Sequence, residues 1–243
     1  ADRMVLDALG GWFGRFGLGR PTGIGLPEVA GRVPRSQDTP AAVERSMRWA
    51  VGIGQGPVAA TPLQMANLAA TIARGGEWLR PTLLLDPPDA APAADGPDRL
   101  RIPLSNEALA MVHEGMTRVV HSPSGTGHLL KTHGLQVAGK TGSAQAPKLA
   151  VVNRNERGEP VRIDGNLWRI IEPNQPGMSW YQGTGPDRAA LAHAWYIGYA
   201  PADRPTIAFA VFVEYGGSGG RTAAAIASDL LEALQQHGYL PRP

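Results

Sequence analysis

The stretch Gly134-Leu135-Gln136-Val137-Ala138-Gly139-Lys140-Thr141-Gly142 decides the fold. Its Leu-Gln-Val-Ala centre is strand-like, and a strand over 134–142 makes sense of what lies on either side. Before it, Ser105 is placed to cap a helix whose apolar positions Leu109, Val112, Met116 and Val119 keep helical spacing. After it, two apolar runs around 193–200 and 206–215 read as further strands. Gly216-Gly217-Ser218-Gly219-Gly220 then reads as a linker, with Ser218 a lesser candidate for holding an anion. A closing amphipathic helix uses Ile226, Leu230 and Leu234, with Gly238 past its end. Helices together with antiparallel strands predict an α+β fold.

Toward the N-terminus, a helix over 3–16 has an apolar face (Met4, Leu6, Leu9, Phe13, Phe16) weakened by Gly10 and Gly11. A Gly/Pro-rich loop follows from Gly17 to Pro34, then a short helix over 41–50. The clearest helix start is Thr61-Pro62-Leu63-Gln64, where Thr61 caps, Pro62 takes the first helical position and Gln64 completes a capping box. Gly75-Gly76 ends that helix. Residues 87–98 form a polar, Pro-rich loop. Within 146–192, rich in Pro, Asn and charge, 161–170 reads as a hairpin with an Asp164-Gly165 turn.

Composition narrows the function classes. The 243 residues are 43% hydrophobic and 18% charged, with a formal net charge of +2, so nothing demands nucleic acid or an anionic membrane. Cysteine is absent, which excludes disulfides, thiolate metal sites and a Cys nucleophile. No run of about 18 apolar residues occurs. The chain starts at Ala1 and enters an apolar stretch at once, which reads as a piece of a longer polypeptide.

Residues 134–141 also match the phosphate-loop pattern G-x-x-x-x-G-K-[ST]. That motif needs a strand before its first Gly and a helix after Lys-Thr, so that backbone N–H groups converge on phosphate. Residues 127–133 hold no buried strand, and 142–147 start no helix, so a nucleotide hydrolase is a minor alternative.

Lys140-Thr141-Gly142 at a strand end instead resembles the third motif of penicillin-binding proteins and serine β-lactamases. The resemblance runs nearly end to end. It includes Phe16-Gly17-Leu18-Gly19 with Thr22-Gly23-Ile24-Gly25-Leu26-Pro27, and Gly54-Gln55-Gly56 followed by Ala60 to Ala66. Gly115-Met116 with Val119-Val120, Gly125-Thr126-Gly127, Val137 to Gln145, His193 to Pro201 and Val211 to Gly217 also fit. The chain is thus similar to the C-terminal part of a class B (monofunctional) penicillin-binding protein transpeptidase domain, in forms closer to elongation-type than division-type members. The resemblance implies an antiparallel sheet flanked by helices. It casts 1–243 as the C-terminal portion of one domain, its N-terminal part missing, with a loop or hairpin insertion at 146–192.

By the same resemblance, Lys140 places a positive charge beside a substrate carboxylate and the Thr141 hydroxyl donates to it. Gly142 lets a ligand backbone approach, and the Ser143 N–H is one half of an oxyanion hole. Gln145 and Trp195 complete the expected substrate-binding set. The implied activity is peptidoglycan D,D-transpeptidation, with stem peptides as substrates and β-lactams as suicide substrates, and no metal or organic cofactor. Elongation-machinery membrane proteins would be partners of the full-length parent, at the periplasmic face of the inner membrane. Yet none of the nine serines has Lys three residues on or Asn two residues on, so the family's nucleophile and second serine are expected upstream of residue 1. Alone, this chain is then inactive; a non-catalytic cell-wall scaffold is the other reading.

Competing sites are weak. His113, His121, His128, His133, His193 and His237 lack ligand spacing and read as ordinary polar histidines. Gly52-Ile53-Gly54-Gln55-Gly56 reads as a turn, and the tryptophans other than Trp195 as core or rim packing.

Overall fold

The computed structural model describes residues 5–84, 98–146, 149–171 and 192–242; the loop read at 87–98, Trp180 and much of 146–192 lie largely or wholly outside them. Helix α1 (Leu6–Arg15) forms straight through Gly10 and Gly11. Gly10 is there for packing: a Cβ on it would sit 3.1 Å from the Pro34 carbonyl oxygen. Helix α2 (Ala41–Gly52) follows the long loop, and α3 (Pro62–Ala73) starts with the expected capping box. Gln64 donates its backbone N–H to the Thr61 hydroxyl at 3.1 Å, and its Oε1 accepts from the Thr61 N–H at 2.9 Å. The same buried side chain donates Nε2 to the carbonyls of Arg20 (2.7 Å) and Ala30 (2.9 Å). One residue therefore starts the helix and ties down the Gly/Pro loop.

Strands β1 (Glu77–Leu79) and β2 (Arg99–Arg101) pair antiparallel, and Ser105 caps α4 (Asn106–His121) by accepting from the Ala108 N–H. Of the apolar stripe predicted for α4, Met116 is buried and Leu109 and Val119 are half-buried, but Val112 is not. Val112 is 44% exposed, whereas His113 turns inward and its Nδ1 lies 2.5 Å from the Tyr199 hydroxyl. A polar partner at the inner position offsets the desolvation of the imidazole, and apolar spacing does not register such partners.

The deciding stretch is a strand, displaced from its expected bounds: β3 runs Ala138–Gln145. Residues 128–133 form a short 3-10 helix, and Gly134 (φ 63°) turns left-handed after it, a conformation that suits glycine. After β4 (Leu149–Val152) and β5 (Trp168–Ile171), β6 (Ala192–Ala200) pairs antiparallel with β3 and β7 (Ile207–Val213) with β6. The order β3-β6-β7 leaves the outer side of β3 as a sheet edge among the described residues. The Asp164-Gly165 turn is present, with positive φ at both residues and an Ile163–Asn166 bridge. The ladder differs from the expected one: β5 pairs with β4, and 153–161 fold into their own turn between them.

Val120, Leu130, Val137, Tyr196, Ala223, Ala227 and Leu231 make the main core on one sheet face; Met116, Ala138 and Tyr199 cluster on the other, beside the end of α3. Helix α5 (Ala224–Gln236) turns Ala224, Ala227 and Leu231 inward; of the predicted face, Leu230 and Leu234 pack against the core at its margin, while Ile226 is 46% exposed. Small residues let this helix lie close to the sheet. Residues 216–220 are not a mere linker either, since Gly219–Ala223 form a π-helical turn leading into α5.

Tyr196 brings an unsatisfied polar group into the core. Its hydroxyl is buried with no hydrogen-bond partner among the described residues, close to Gly127 and Gly139, and burial pushes its pKa far up. Tyr196→Phe is expected to hold or raise stability, by about 1 kcal/mol, because it removes an unsatisfied buried group. Thermal unfolding checks this; a fall in midpoint like that of a core truncation would refute it.

Candidate active site

The backbone of β3 sets the geometry. Alternation puts Lys140 and Gly142 on one sheet face, with Thr141, Ser143 and Gln145 on the other. Lys140 is exposed, and its ammonium donates to the Thr141 carbonyl at 2.6 Å, so the charge sits at the sheet edge. Gly142 lies opposite Trp195, whose Cβ would be 3.2 Å from a Cβ at 142; this cross-strand crowding is a reason for glycine in addition to the expected ligand approach. The Trp195 ring shares that face and packs on Phe212, with centroids 4.5 Å apart. Lys140, Thr141, Gly142, Ser143 and Gln145 thus lie along one strand, with Trp195 on the next.

Three further residues close on this strand, none of them a site residue that the sequence reading picks out. The Thr126 hydroxyl oxygen is 2.7 Å from that of Thr141. The Gly219 N–H donates to the Ser143 hydroxyl at 3.3 Å, and a Cβ on Gly219 would run into the carbonyl oxygens of Gly142 and Trp195. Gln55 donates Nε2 to the Ser143 carbonyl (2.8 Å) and accepts the Gln145 N–H on Oε1 (2.9 Å). The sequence marks them only by segment: all three lie in glycine-rich stretches, 125–127, 216–220 and 54–56, of which 54–56 and 125–127 also carry the family resemblance. The turn expected at 52–56 is real, with Gly54 and Gly56 at positive φ, and it delivers a side chain.

The Ser143 carbonyl points outward to Gln55. The N–H and C=O of one strand residue point the same way, so the Ser143 N–H also faces the open edge. A donor fixed in a strand is preorganised for developing negative charge. The phosphate-loop alternative lacks its framework, because 142–145 continue as strand where that loop needs a helix.

Two further histidines hold backbone in place. His121 Nε2 accepts the Val137 N–H at 3.1 Å, steadying the approach to β3, and burial holds its pKa below the ordinary value. His193 Nδ1 accepts from the Tyr215 N–H at 3.0 Å. Among the described residues no group of three or more His, Cys, Asp or Glu converges as a metal site, and no helix is long and apolar enough to cross a membrane.

Comparison with known proteins places the whole chain. The family described as penicillin binding protein transpeptidase domain matches residues 1–157 and 177–232. The chain is 32% identical to the peptidoglycan D,D-transpeptidase MrdA of Acinetobacter baumannii, over 92% of this chain and 30% of that protein. Against MrdA of Haemophilus influenzae it is 30% identical, over 96% of this chain and 33% of that protein. The crystal structure of Pseudomonas aeruginosa PBP2 in complex with WCK 5153 superposes with a TM-score of 0.70 at 27% identity, covering 98% of this chain and 44% of that one. The chain therefore spans about a third of the length of these curated relatives. On the span and continuity of that match, the chain belongs to the penicillin-binding protein transpeptidase domain family.

Proposed function

We propose that this chain supplies the substrate-anchoring half of a peptidoglycan D,D-transpeptidase. The observation that carries the reading is the open edge of β3, where a cation, a hydroxyl and an outward N–H lie close together, Lys140, Thr141 and Ser143 bracketing Gly142. A stem peptide or β-lactam docks its carboxylate at Lys140 and Thr141. A serine from a part of the transpeptidase domain outside these 243 residues attacks the scissile carbonyl, whose oxygen becomes the oxyanion that the Ser143 N–H stabilises. The leaving amine departs, and the amine of a second stem peptide takes the acyl group from the serine. Gln145 and Trp195 border the ligand. The whole protein works at the periplasmic face of the inner membrane with membrane proteins of the elongation machinery.

The test is covalent labelling by a fluorescent penicillin. The complete protein is expected to label, and the 243-residue chain alone is not. Labelling of the chain alone would mean that its own serines suffice, against this reading. No labelling of either would favour a non-catalytic cell-wall scaffold.

A further inference from the structure

Gln55 reaches β3 from far away in sequence and takes part of its free edge. Its carboxamide donates to the Ser143 carbonyl at 2.8 Å and accepts the Gln145 N–H at 2.9 Å. These are the carbonyl and N–H that a strand added to this edge would use beyond Ser143. The side chain is aimed from a firm base. The Gln55 N–H donates to the Ala50 carbonyl at the end of α2 (2.8 Å), and the flanking Gly54 and Gly56 take φ of 76° and 79°. Gly56 lies against α2 as well, where a Cβ would come within 3.4 Å of Ala50 Cβ.

We propose that Gln55 is a positioning residue that ends the ligand-receiving edge of β3 at Ser143 and, by bracing the Ser143 carbonyl and the Gln145 N–H, fixes the strand from which the Ser143 N–H points outward. An extended ligand then lies along Thr141 and Ser143 and is turned off the strand past them, while the Ser143 N–H keeps a fixed direction toward the reacting carbonyl. The inference rests on the transpeptidase reading of the same edge. It concerns how far the edge extends and what fixes it, and Gln55 itself touches neither substrate nor the reacting atoms.

The experiment compares the complete protein with its Gln55→Ala and Gln55→Glu variants. It measures the maximal acylation rate and the non-covalent dissociation constant for a fluorescent penicillin, together with hydrogen exchange at the Gln145 amide. Glutamate keeps an acceptor for the Gln145 N–H but offers no donor to the Ser143 carbonyl. Faster Gln145 exchange is therefore expected in Gln55→Ala and near-normal exchange in Gln55→Glu. Both variants are expected to lose about tenfold in maximal acylation rate, the loss of a hydrogen bond's worth of alignment, with the dissociation constant within about twofold. Rates and exchange equal to the unsubstituted protein would overturn the proposal. So would a loss that tracks a lowered melting temperature, which would make Gln55 merely structural. If the unsubstituted protein takes no penicillin at all, the transpeptidase reading itself fails, and that outcome is separate from the others.

Discussion

Replacing Lys140 by alanine in the complete protein is expected to slow acylation by a fluorescent penicillin about 10- to 100-fold. The ammonium is held at the edge of β3 by the Thr141 carbonyl, next to the hydroxyl that would share the ligand carboxylate. A hydrogen bond to a charged group contributes about 1.5–3 kcal/mol, and each 1.4 kcal/mol is a factor of about ten. Lys140 is exposed and its replacement opens no cavity, so the melting temperature should stay put while the rate falls. Arginine keeps the charge but spreads it over a planar fork, so Lys140→Arg should recover only part of the loss. An unchanged rate in Lys140→Ala would mean that the carboxylate is anchored elsewhere.

A larger structural effect is expected from Gly219→Ala. The added methyl would meet the carbonyl oxygens of Gly142 and Trp195, and backbone on two paired strands cannot swing aside as a side chain can. The π-helical turn must lift, which breaks the Gly219 N–H bond to the Ser143 hydroxyl and disturbs the entry to α5. Overpacking of this kind costs about 1–3 kcal/mol, and the displaced strand should lose acylation as well. The matched control is Gly14→Ala in α1, where the added methyl meets nothing within 4 Å. There the better helix propensity should give about 0.5–1 kcal/mol of stabilisation. If the two variants melt alike, the close packing at Gly219 is not what holds the turn.

Features fixed by near neighbours in the chain are legible from the amino-acid order alone. The Thr61–Gln64 capping box, the Ser105 cap and the Asp164-Gly165 turn each depend on residues within a few positions. Strands read at 193–200 and 206–215 fall at Ala192–Ala200 and Ile207–Val213, because their apolar runs are bounded by turn residues. The Lys140-Thr141-Gly142 strand is legible through its flanking segments. What escapes is tertiary. Gln55 meets Ser143 across 88 residues, and no local pattern signals that contact. Gly219 sits in a run that composition marks as a linker, since a glycine chosen for close approach looks like one chosen for flexibility. Val112 and Ile226 stay exposed, against the predicted faces, for a related reason. A polar group with a buried partner can go inward, and a small alanine can displace a larger residue from the core face.

The paired hydroxyls of Thr126 and Thr141 carry one more consequence. Two oxygens 2.7 Å apart have room for a single proton between them, so one hydroxyl gives and the other must receive. If Thr126 gives, the Thr141 proton is released to point at an incoming anion. If Thr141 gives, it shows only lone pairs and repels one. The pair is a two-position rotor whose polarity an anionic ligand would select, while an esterified ligand of the same shape would not. Discrimination of charge from shape can therefore reside in the orientation of one hydrogen atom, set by a residue outside the strand.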